Sequence, residues 1–253
     1  MGANVLDAVF PAFSAGQLGA TALIFLWSGF VRSGLGFGGA ALGLPFMLLV
    51  YDQPIFWIPL IGSHLLFFSA LTLSNRLHNV DWQYLRRASR LILPAAFAGV
   101  FGLLNLPNDV LLVCIYAITL IYAVMWALDR VLTSKHAWVD NLLLVLGGYV
   151  SGSSLTGAPL MIAVFMRHVP LAKLRDTLFV LWFGIVAFKI ATLAALEVPL
   201  GLKAAVALLP AAAIGHVIGL RCHDWLLQRD RLCRRIIGSL LVVVSLMGLL
   251  QLM

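Results

Sequence analysis

Residues 28–48 read SGFVRSGLGFGGAALGLPFML and place one arginine and six glycines within a single apolar stretch. Glycine is a poor helix former, and a guanidinium at the centre of a bilayer costs about 2.5–3.5 kcal/mol on insertion scales. Non-helical backbone at that depth is tolerated only where it is buried in protein or lines a water-filled cavity. The stretch therefore predicts a broken helix or a re-entrant hairpin inside a membrane protein, away from lipid.

The whole chain has the composition of an integral membrane protein. Of its 253 residues, 62% are hydrophobic and 11% are charged, and the mean hydropathy is +1.02. Apolar runs such as 55–75, 110–128, 177–196 and 236–252 approach or exceed the roughly 17–25 residues of a spanning helix, and they lack the alternation of barrel strands. The predicted fold class is all-α integral membrane.

We attribute the net charge of +7 to the orientation signals of a membrane protein, and we predict no nucleic-acid partner. The basic residues form short clusters between apolar runs, which is where orientation signals belong. Cys114, Cys222 and Cys233 form no CxxC pattern, so neither a metal site nor a disulfide framework is indicated. No cofactor is predicted.

The two halves of the chain resemble each other. GFVRSGLGFGGA (29–40) aligns with GYVSGSSLTGAP (148–159) at an offset of 119, which pairs Gly29 with Gly148. LPAAFAGVFG (93–102) aligns with LPAAAIGHVIG (209–219) at an offset of 116, which pairs Gly99 with Gly215. Interrupted helices at matching places in two repeats are typical of transporters that bind substrate where the repeats meet. The prediction is an internal duplication, with repeats over 1–130 and 137–253.

The distribution of Lys and Arg predicts how the repeats are oriented. If 14–50 and 141–166 are hairpins that enter and leave on one face, fourteen basic residues lie inside and only Lys203 lies outside. If every apolar segment crosses, no such bias remains. Arms of about ten residues, 141–150 and 157–166, reach only half of a roughly 30 Å core. Each repeat then has three crossings, so the second is inverted and both termini are extracytoplasmic. The predicted crossing helices are 55–75, 88–105 and 109–129 in the first repeat, and 174–197, 203–221 and 235–252 in the second.

The glycine-rich tips of the hairpins have the chemistry of an anion site. Helices that begin near Gly39 and Gly157 would direct free N–H groups and partial positive charge at one cavity. The predicted substrate-binding residues are Arg32, Ser33, Gly34, Gly36, Phe37, Gly38, Gly39, His64, Ser153, Ser154, Thr156, Gly157 and Lys189.

Each of these assignments has a structural alternative. The glycines are also what closely packed membrane helices use. Arg32 and Lys189 can extend along the helix to the nearer interface. His64 and His216 suit either proton transfer or an ordinary hydrogen-bonded core position.

The acidic residues favour an anion as the substrate. All ten lie at or near segment ends, so no intramembrane carboxylate of the kind that cation carriers and proton pumps use is predicted. The embedded charges, Arg32 and Lys189, are positive.

Three motifs resemble those of the sulfite exporter TauE/SafE family. They are Arg-Ser-Gly-x-Gly-Phe-Gly-Gly at 32–39 followed by Pro45, Ser-Gly at 151–152 followed by Thr-Gly-Ala-Pro at 156–159, and His-Asn-Val-Asp-Trp at 78–82. The resemblance covers nearly the whole chain. It implies a transporter of sulfite, organosulfonates or other small organic anions in a plasma membrane.

The leading hypothesis is a secondary transporter, with export as the direction, that works by alternating access and is not an enzyme. A passive anion channel is the first alternative. An intramembrane serine hydrolase, with a nucleophile among Ser151, Ser153 and Ser154 and with His216 as base, is the second. The sequence leaves open which anion is carried, whether it is imported or exported, whether a proton or a sodium ion is coupled, and whether the chain forms a homodimer. It also leaves open whether 14–31 crosses fully or is a half-helix.

Overall fold

The structure is a computed structural model that describes residues 10, 13–35, 39–130, 132 and 136–253, with Asp224 and Leu227 described by their backbone alone. Within these ranges the fold consists of ten α-helices without strands, which confirms the all-α prediction. The helices are α1 (Ala15–Gly34), α2 (Gly39–Val50), α3 (Pro54–Leu73), α4 (Trp82–Asn105), α5 (Asn108–Ala127), α6 (Ala137–Ser154), α7 (Ala158–His168), α8 (Leu171–Ala195), α9 (Leu202–Gln228) and α10 (Asp230–Gln251).

Six helices in the described ranges are long and apolar enough to cross a membrane: α3, α4, α5, α8, α9 and α10. Large apolar side chains on their outward faces are extensively exposed, as at Ile121 (65%), Val206 (69%) and Leu250 (69%). Exposed apolar surface of this extent fits contact with lipid. The chain is therefore a multi-pass membrane protein, as predicted.

The first two helices of each half differ in length in the same way. In α2 and α7, 12 and 11 residues give lengths of about 18 Å and 17 Å, too short for a core of roughly 30 Å. Their partners are longer, with 20 residues in α1 and 18 in α6. The prediction that 141–150 forms a ten-residue half-length arm is therefore wrong. The helix continues through Gly148 and Gly152 because both pack tightly against the backbone of α4.

The α1–α2 hairpin closes on itself. Ser28 Oγ donates to the carbonyl oxygen of Gly39 at 2.8 Å, so α2 starts beside the middle of α1. At the other end of the hairpin, Gln17 Nε2 donates to the carbonyl oxygen of Val50 at 3.1 Å. The beginning of α1 and the end of α2 thus lie together.

The α6–α7 hairpin closes in the same manner through charged side chains. At the start of α6, Asp140 Oδ2 accepts from Arg167 Nη1 at 2.9 Å and lies 2.8 Å from His168 Nε2. Near the tip, a β-carbon added to Gly157 would collide with the carbonyl oxygen of Gly147 and approach Ser151 Oγ. Only glycine permits this close return of the chain onto α6.

Each long hairpin arm packs against a crossing helix of the other half. Helix α1 lies against α9, and α6 lies against α4. Both contacts bring backbone against backbone, because a β-carbon at Gly29 would collide with the Ala212 carbonyl oxygen and one at Gly152 with the Ala96 carbonyl oxygen. The remaining large contacts join α3 to α8 and α5 to α10.

The loop between α3 and α4 ties the two halves together at one end of the bundle. Asn79 Nδ2 donates to the Ala172 carbonyl oxygen at 2.8 Å and to Asp176 Oδ2 at 2.7 Å. The backbone N–H of Asp81 donates to Thr177 Oγ1 at 2.9 Å, and the Asp81 side chain caps the start of α4. The motif at 78–82 therefore fixes the position of α8 relative to α4.

Candidate functional site

A small internal cavity lies where the tips of the two hairpins meet α3 and α8. Its volume is about 40 Å³. Its walls include the first residues of α2 and α7, so two helix N-termini face it. The polar side chains that line it are Ser28, Arg32, Ser69, Ser151 and Trp182, and no acidic side chain is among the described lining residues.

Three of these side chains have hydrogen-bonding capacity that no described residue uses. Arg32 Nε and Nη2, Ser151 Oγ and Trp182 Nε1 are buried and have no partner within the part of the chain that the structure covers. Leaving a buried donor unpaired costs about 1–3 kcal/mol, and more for a charged group. Buried donors without described partners, on residues that line a cavity with no acidic group among the described side chains, indicate a site for water or an anion.

Close packing of α2 on α1 places Arg32 at this cavity. A β-carbon at Gly39 would come within 2.8 Å of the Arg32 Cβ atom and 2.9 Å of the Ser28 carbonyl oxygen, so the chain returns as near to α1 as it can. The Arg32 side chain is 8% exposed, and its guanidinium lies 4.1 Å from the centre of the Phe68 ring. A stacked guanidinium keeps its edge free for a planar or tetrahedral oxyanion.

Lys189, the second predicted cation, is not among the described residues that line the cavity and instead contacts the backbone of one that does, Ser151. Its side chain is fully buried, and Nζ donates to the Ser151 carbonyl oxygen at 2.9 Å. The last carbonyl groups of a helix carry partial negative charge. Lys189 therefore adds a charged donor to the Ser151 carbonyl oxygen near the end of α6, where the Leu155 N–H also donates at 3.2 Å.

Most of the remaining predicted residues of the first half contact other helices and do not line the cavity. Ser33 Oγ donates to the carbonyl oxygens of Gly29 and His216 at 2.9 Å and 2.8 Å. Gly34 packs against α9, and His64 Nε2 lies 2.6 Å from the Ala205 carbonyl oxygen, its hydrogen-bond acceptor. Gly39 does line the cavity. Gly36, Phe37 and Gly38 lie outside the described residues.

In the second half, the predicted hydroxyl groups are engaged in local hydrogen bonds. Ser153 Oγ and Ser154 Oγ both donate to the Val150 carbonyl oxygen, and Ser154 Oγ lies 2.7 Å from Thr156 Oγ1. These contacts stabilise the turn between α6 and α7, and Gly157 allows α7 to begin against Ser151.

Sequence reasoning missed four cavity residues or gave them other roles. Ser28 and Ser69 were not among the predicted site residues. Ser151 was considered only as a nucleophile. Tryptophans such as Trp182 are more often packing residues than ligands. For Ser151 a signal existed, because the offset of 119 aligns it with Arg32. Nothing in the sequence distinguishes the face of α3 or α8 that meets the cavity.

The geometry of the serines does not support the hydrolase hypothesis. Within the described residues, the recorded hydrogen bonds of Ser153 and Ser154 go to backbone or hydroxyl oxygens and not to a histidine ring. A serine nucleophile needs a base within hydrogen-bond reach. Over the same residues, no cluster of three or more His, Cys, Asp or Glu side chains is placed to hold a metal ion.

Comparison with known proteins gives one match. The family model described as sulfite exporter TauE/SafE matches residues 21–248, nearly the whole chain. No curated protein and no solved structure matches it.

Proposed function

The chain belongs to the sulfite exporter TauE/SafE family, and from that premise we propose that it is a secondary transporter that carries a small oxyanion through the central cavity. The proposed cargo is sulfite, an organosulfonate or a related organic anion, and the proposed direction is export across a plasma membrane. The family is a transporter family, so an enzymatic role is not proposed.

One observation carries this proposal: Arg32, Ser151 and Trp182, whose buried donors have no partner among the described residues, line a cavity that has no acidic side chain among its described lining residues. An oxyanion would accept hydrogen bonds from all three side chains. Charge-assisted hydrogen bonds from a guanidinium are among the stronger interactions available to such a ligand. A cation would meet the positive charge of Arg32 and two helix N-termini, which would repel it.

The size of the cavity favours an inorganic oxyanion in this conformation. One water needs about 10–15 Å³ of such space, so the cavity accommodates about three waters. The four heavy atoms of sulfite are comparable. A larger sulfonate would require the surrounding helices to separate.

We also propose that the chain consists of two inverted repeats that rearrange around this site. The same helix order in each half supports this arrangement, with a closed hairpin followed by three long helices. Inverted repeats explain why α1 pairs with α9 while α6 pairs with α4, since a two-fold axis exchanges these pairs. Such an axis would run between α3 and α8 and between α5 and α10, which pack directly on each other.

Backbone contacts support the repeat more specifically, and they shift the alignment of α4 with α9 by one helical turn. A β-carbon at Gly99 would collide with the Tyr149 carbonyl oxygen, and one at Gly219 with the Phe30 carbonyl oxygen. Phe30 and Tyr149 are related by the offset of 119 that aligns the hairpins. By contact, Gly99 therefore corresponds to Gly219, one helical turn away from the Gly215 with which the sequence pairs it.

The proposed orientation places the Asp140 end of the second hairpin in the cytoplasm. The closure of both hairpins supports it, because only re-entrant hairpins put the basic clusters on one face. Both termini would then be extracytoplasmic. A coupled proton or sodium ion and a homodimer remain predictions from the sequence.

Counterflow in proteoliposomes tests the proposed function. Vesicles loaded with unlabelled sulfite should accumulate radiolabelled sulfite above its external concentration, and uptake should saturate. A passive channel would conduct sulfite without uphill exchange. The absence of protein-dependent movement of sulfite, thiosulfate, sulfonates and small carboxylates would contradict the proposal.

A further inference from the structure

Arg175, near the start of α8, has a buried donor that the site described above does not use. Its side chain is only partly exposed, and its Nε atom is buried with no hydrogen-bond partner among the described residues. It forms no ion pair within those residues either. The adjacent carboxylate, Asp176, interacts instead with Asn79 and, at 3.9 Å, with Arg76. The buried Nε donor of Arg175 is therefore available to another group, beside the Asp176 carboxylate, whose Oδ1 is also buried without a partner among the described residues.

Phe179 connects Arg175 with the central cavity. The Arg175 guanidinium lies 5.4 Å from the centre of the Phe179 ring, one helical turn further along α8. The Phe179 side chain is 5% exposed and forms part of the cavity wall. Phe179 thus contacts the Arg175 guanidinium and also forms part of the cavity wall on α8.

Arg32 has the same relation to an aromatic ring on α3. Its guanidinium stacks on Phe68, and the Phe68 ring also contacts the His216 ring, with 4.8 Å between the ring centres. His216 Nδ1 is buried without a partner in the described part of the chain. The region between the two arginines therefore contains hydrogen-bonding groups with no partner among the described residues.

We propose that Arg175 forms a second anion-binding position, on the side of Phe179 that faces the cytoplasm in the proposed orientation. It binds the anion after it leaves, or before it enters, the Arg32 position. Two binding positions in series allow an ion to enter favourably and still leave, because each binds with only moderate strength. This inference rests on the proposed anion transport and adds a residue and a route to it.

Sided transport of radiolabelled sulfite tests the role of Arg175. Inverted membrane vesicles present the cytoplasmic face, and right-side-out vesicles present the other face. We expect Arg175→Gln to lower kcat/KM for sulfite at the cytoplasmic face by about tenfold or more, because it removes a charge-assisted contact on that side. Equilibrium binding to the purified protein should change by less than about threefold, since the Arg32 position is intact.

The matched control is Lys173→Gln, which removes one positive charge from an exposed side chain on the same turn of α8. We expect it to change kcat/KM at either face by less than about twofold. Arg175→Lys should lie between wild type and Arg175→Gln, because it keeps the charge and loses the planar fork.

Three results would overturn the proposal. One is the same cytoplasmic kcat/KM for Arg175→Gln and Lys173→Gln. Another is a loss of equilibrium binding in Arg175→Gln as large as that in Arg32→Gln, which would place Arg175 in the central position. If Arg175→Gln does not fold, an unchanged cytoplasmic KM in Arg175→Lys would overturn it. Failure of the proposed function looks different, because the wild-type protein would then neither bind nor transport sulfite.

Discussion

Replacement of Arg32 by methionine should separate anion binding from stability. Methionine keeps an unbranched side chain of similar length against Phe68 and removes the guanidinium. In the ligand-free protein the Arg32 side chain is 8% exposed, and its Nε and Nη2 atoms lack partners among the described residues. The buried charge therefore lowers the stability of the ligand-free protein, and a bound anion offsets this loss.

The expected effect on binding follows from the two unpaired donors. A hydrogen bond to a charged group contributes about 1.5–3 kcal/mol, so loss of two such bonds costs at least about 3 kcal/mol. Since about 1.4 kcal/mol corresponds to a tenfold change, sulfite affinity should fall by about a hundredfold or more.

The effect on stability should have the opposite sign. A charge at mid-membrane destabilises the protein by about 2.5–3.5 kcal/mol. The contact of the guanidinium with Phe68 offsets about 0.5–2 kcal/mol of this. Ligand-free Arg32→Met should therefore be more stable than wild type, by about 0.5–3 kcal/mol.

Calorimetric titration with sulfite and thermal unfolding of the purified protein measure both effects. Arg90→Met is the control, because Arg90 is exposed near the start of α4 and the charge change is the same. It should bind sulfite like the wild type. Sulfite should raise the unfolding temperature of wild type and Arg90→Met and leave that of Arg32→Met unchanged. Binding by Arg32→Met within about threefold of wild type would refute this reasoning.

Three further substitutions test neighbouring parts of the site. Trp182→Phe keeps the ring and removes one unpaired donor, so sulfite affinity measured by titration should fall by about two- to tenfold, and an unchanged affinity would remove the indole N–H from the site. Lys189→Met should weaken binding by less than about tenfold, because Nζ contacts the Ser151 carbonyl oxygen behind the cavity; an effect as large as that of Arg32→Met would make Lys189 a direct ligand. Gly152→Ala should destabilise the protein by about 1–3 kcal/mol in thermal unfolding, because its β-carbon would collide with a carbonyl oxygen of α4. The control Gly184→Ala should not destabilise it, because no atom lies within 4 Å of the added carbon. Equal stability of the two variants would contradict the close contact between α6 and α4.

The general architecture could be predicted because it depends on patterns along the chain. Apolar runs of sufficient length marked the spanning helices, and the glycines between Gly29 and Gly43 marked an interruption. Counting basic residues favoured hairpins that return to the same face, which stays a prediction; the structure shows the two arms of the first hairpin in contact, through Gln17 and the Val50 carbonyl oxygen. The length of α6 was not predictable in this way, because its glycines stay helical only through contact with α4.

The details of the site depend on which helix faces meet, and the sequence carries little of that information. Arg32 was predicted because an embedded charge stands out in an apolar segment. Lys189 was found for the same reason, but its partner, a backbone carbonyl group, leaves no trace in the sequence. Trp182 and Ser69 belong to residue types that occur throughout membrane helices, so nothing marked them as cavity residues.

The most direct test of the central site is an experimental structure with bound selenite, a heavier analogue of sulfite whose selenium atom is located by anomalous scattering. The account predicts one strong peak in the cavity, with selenite oxygens within hydrogen-bond distance of the Arg32 guanidinium and the Ser151 hydroxyl. A protein that transports selenite but shows the peak elsewhere, with this cavity empty, would contradict it.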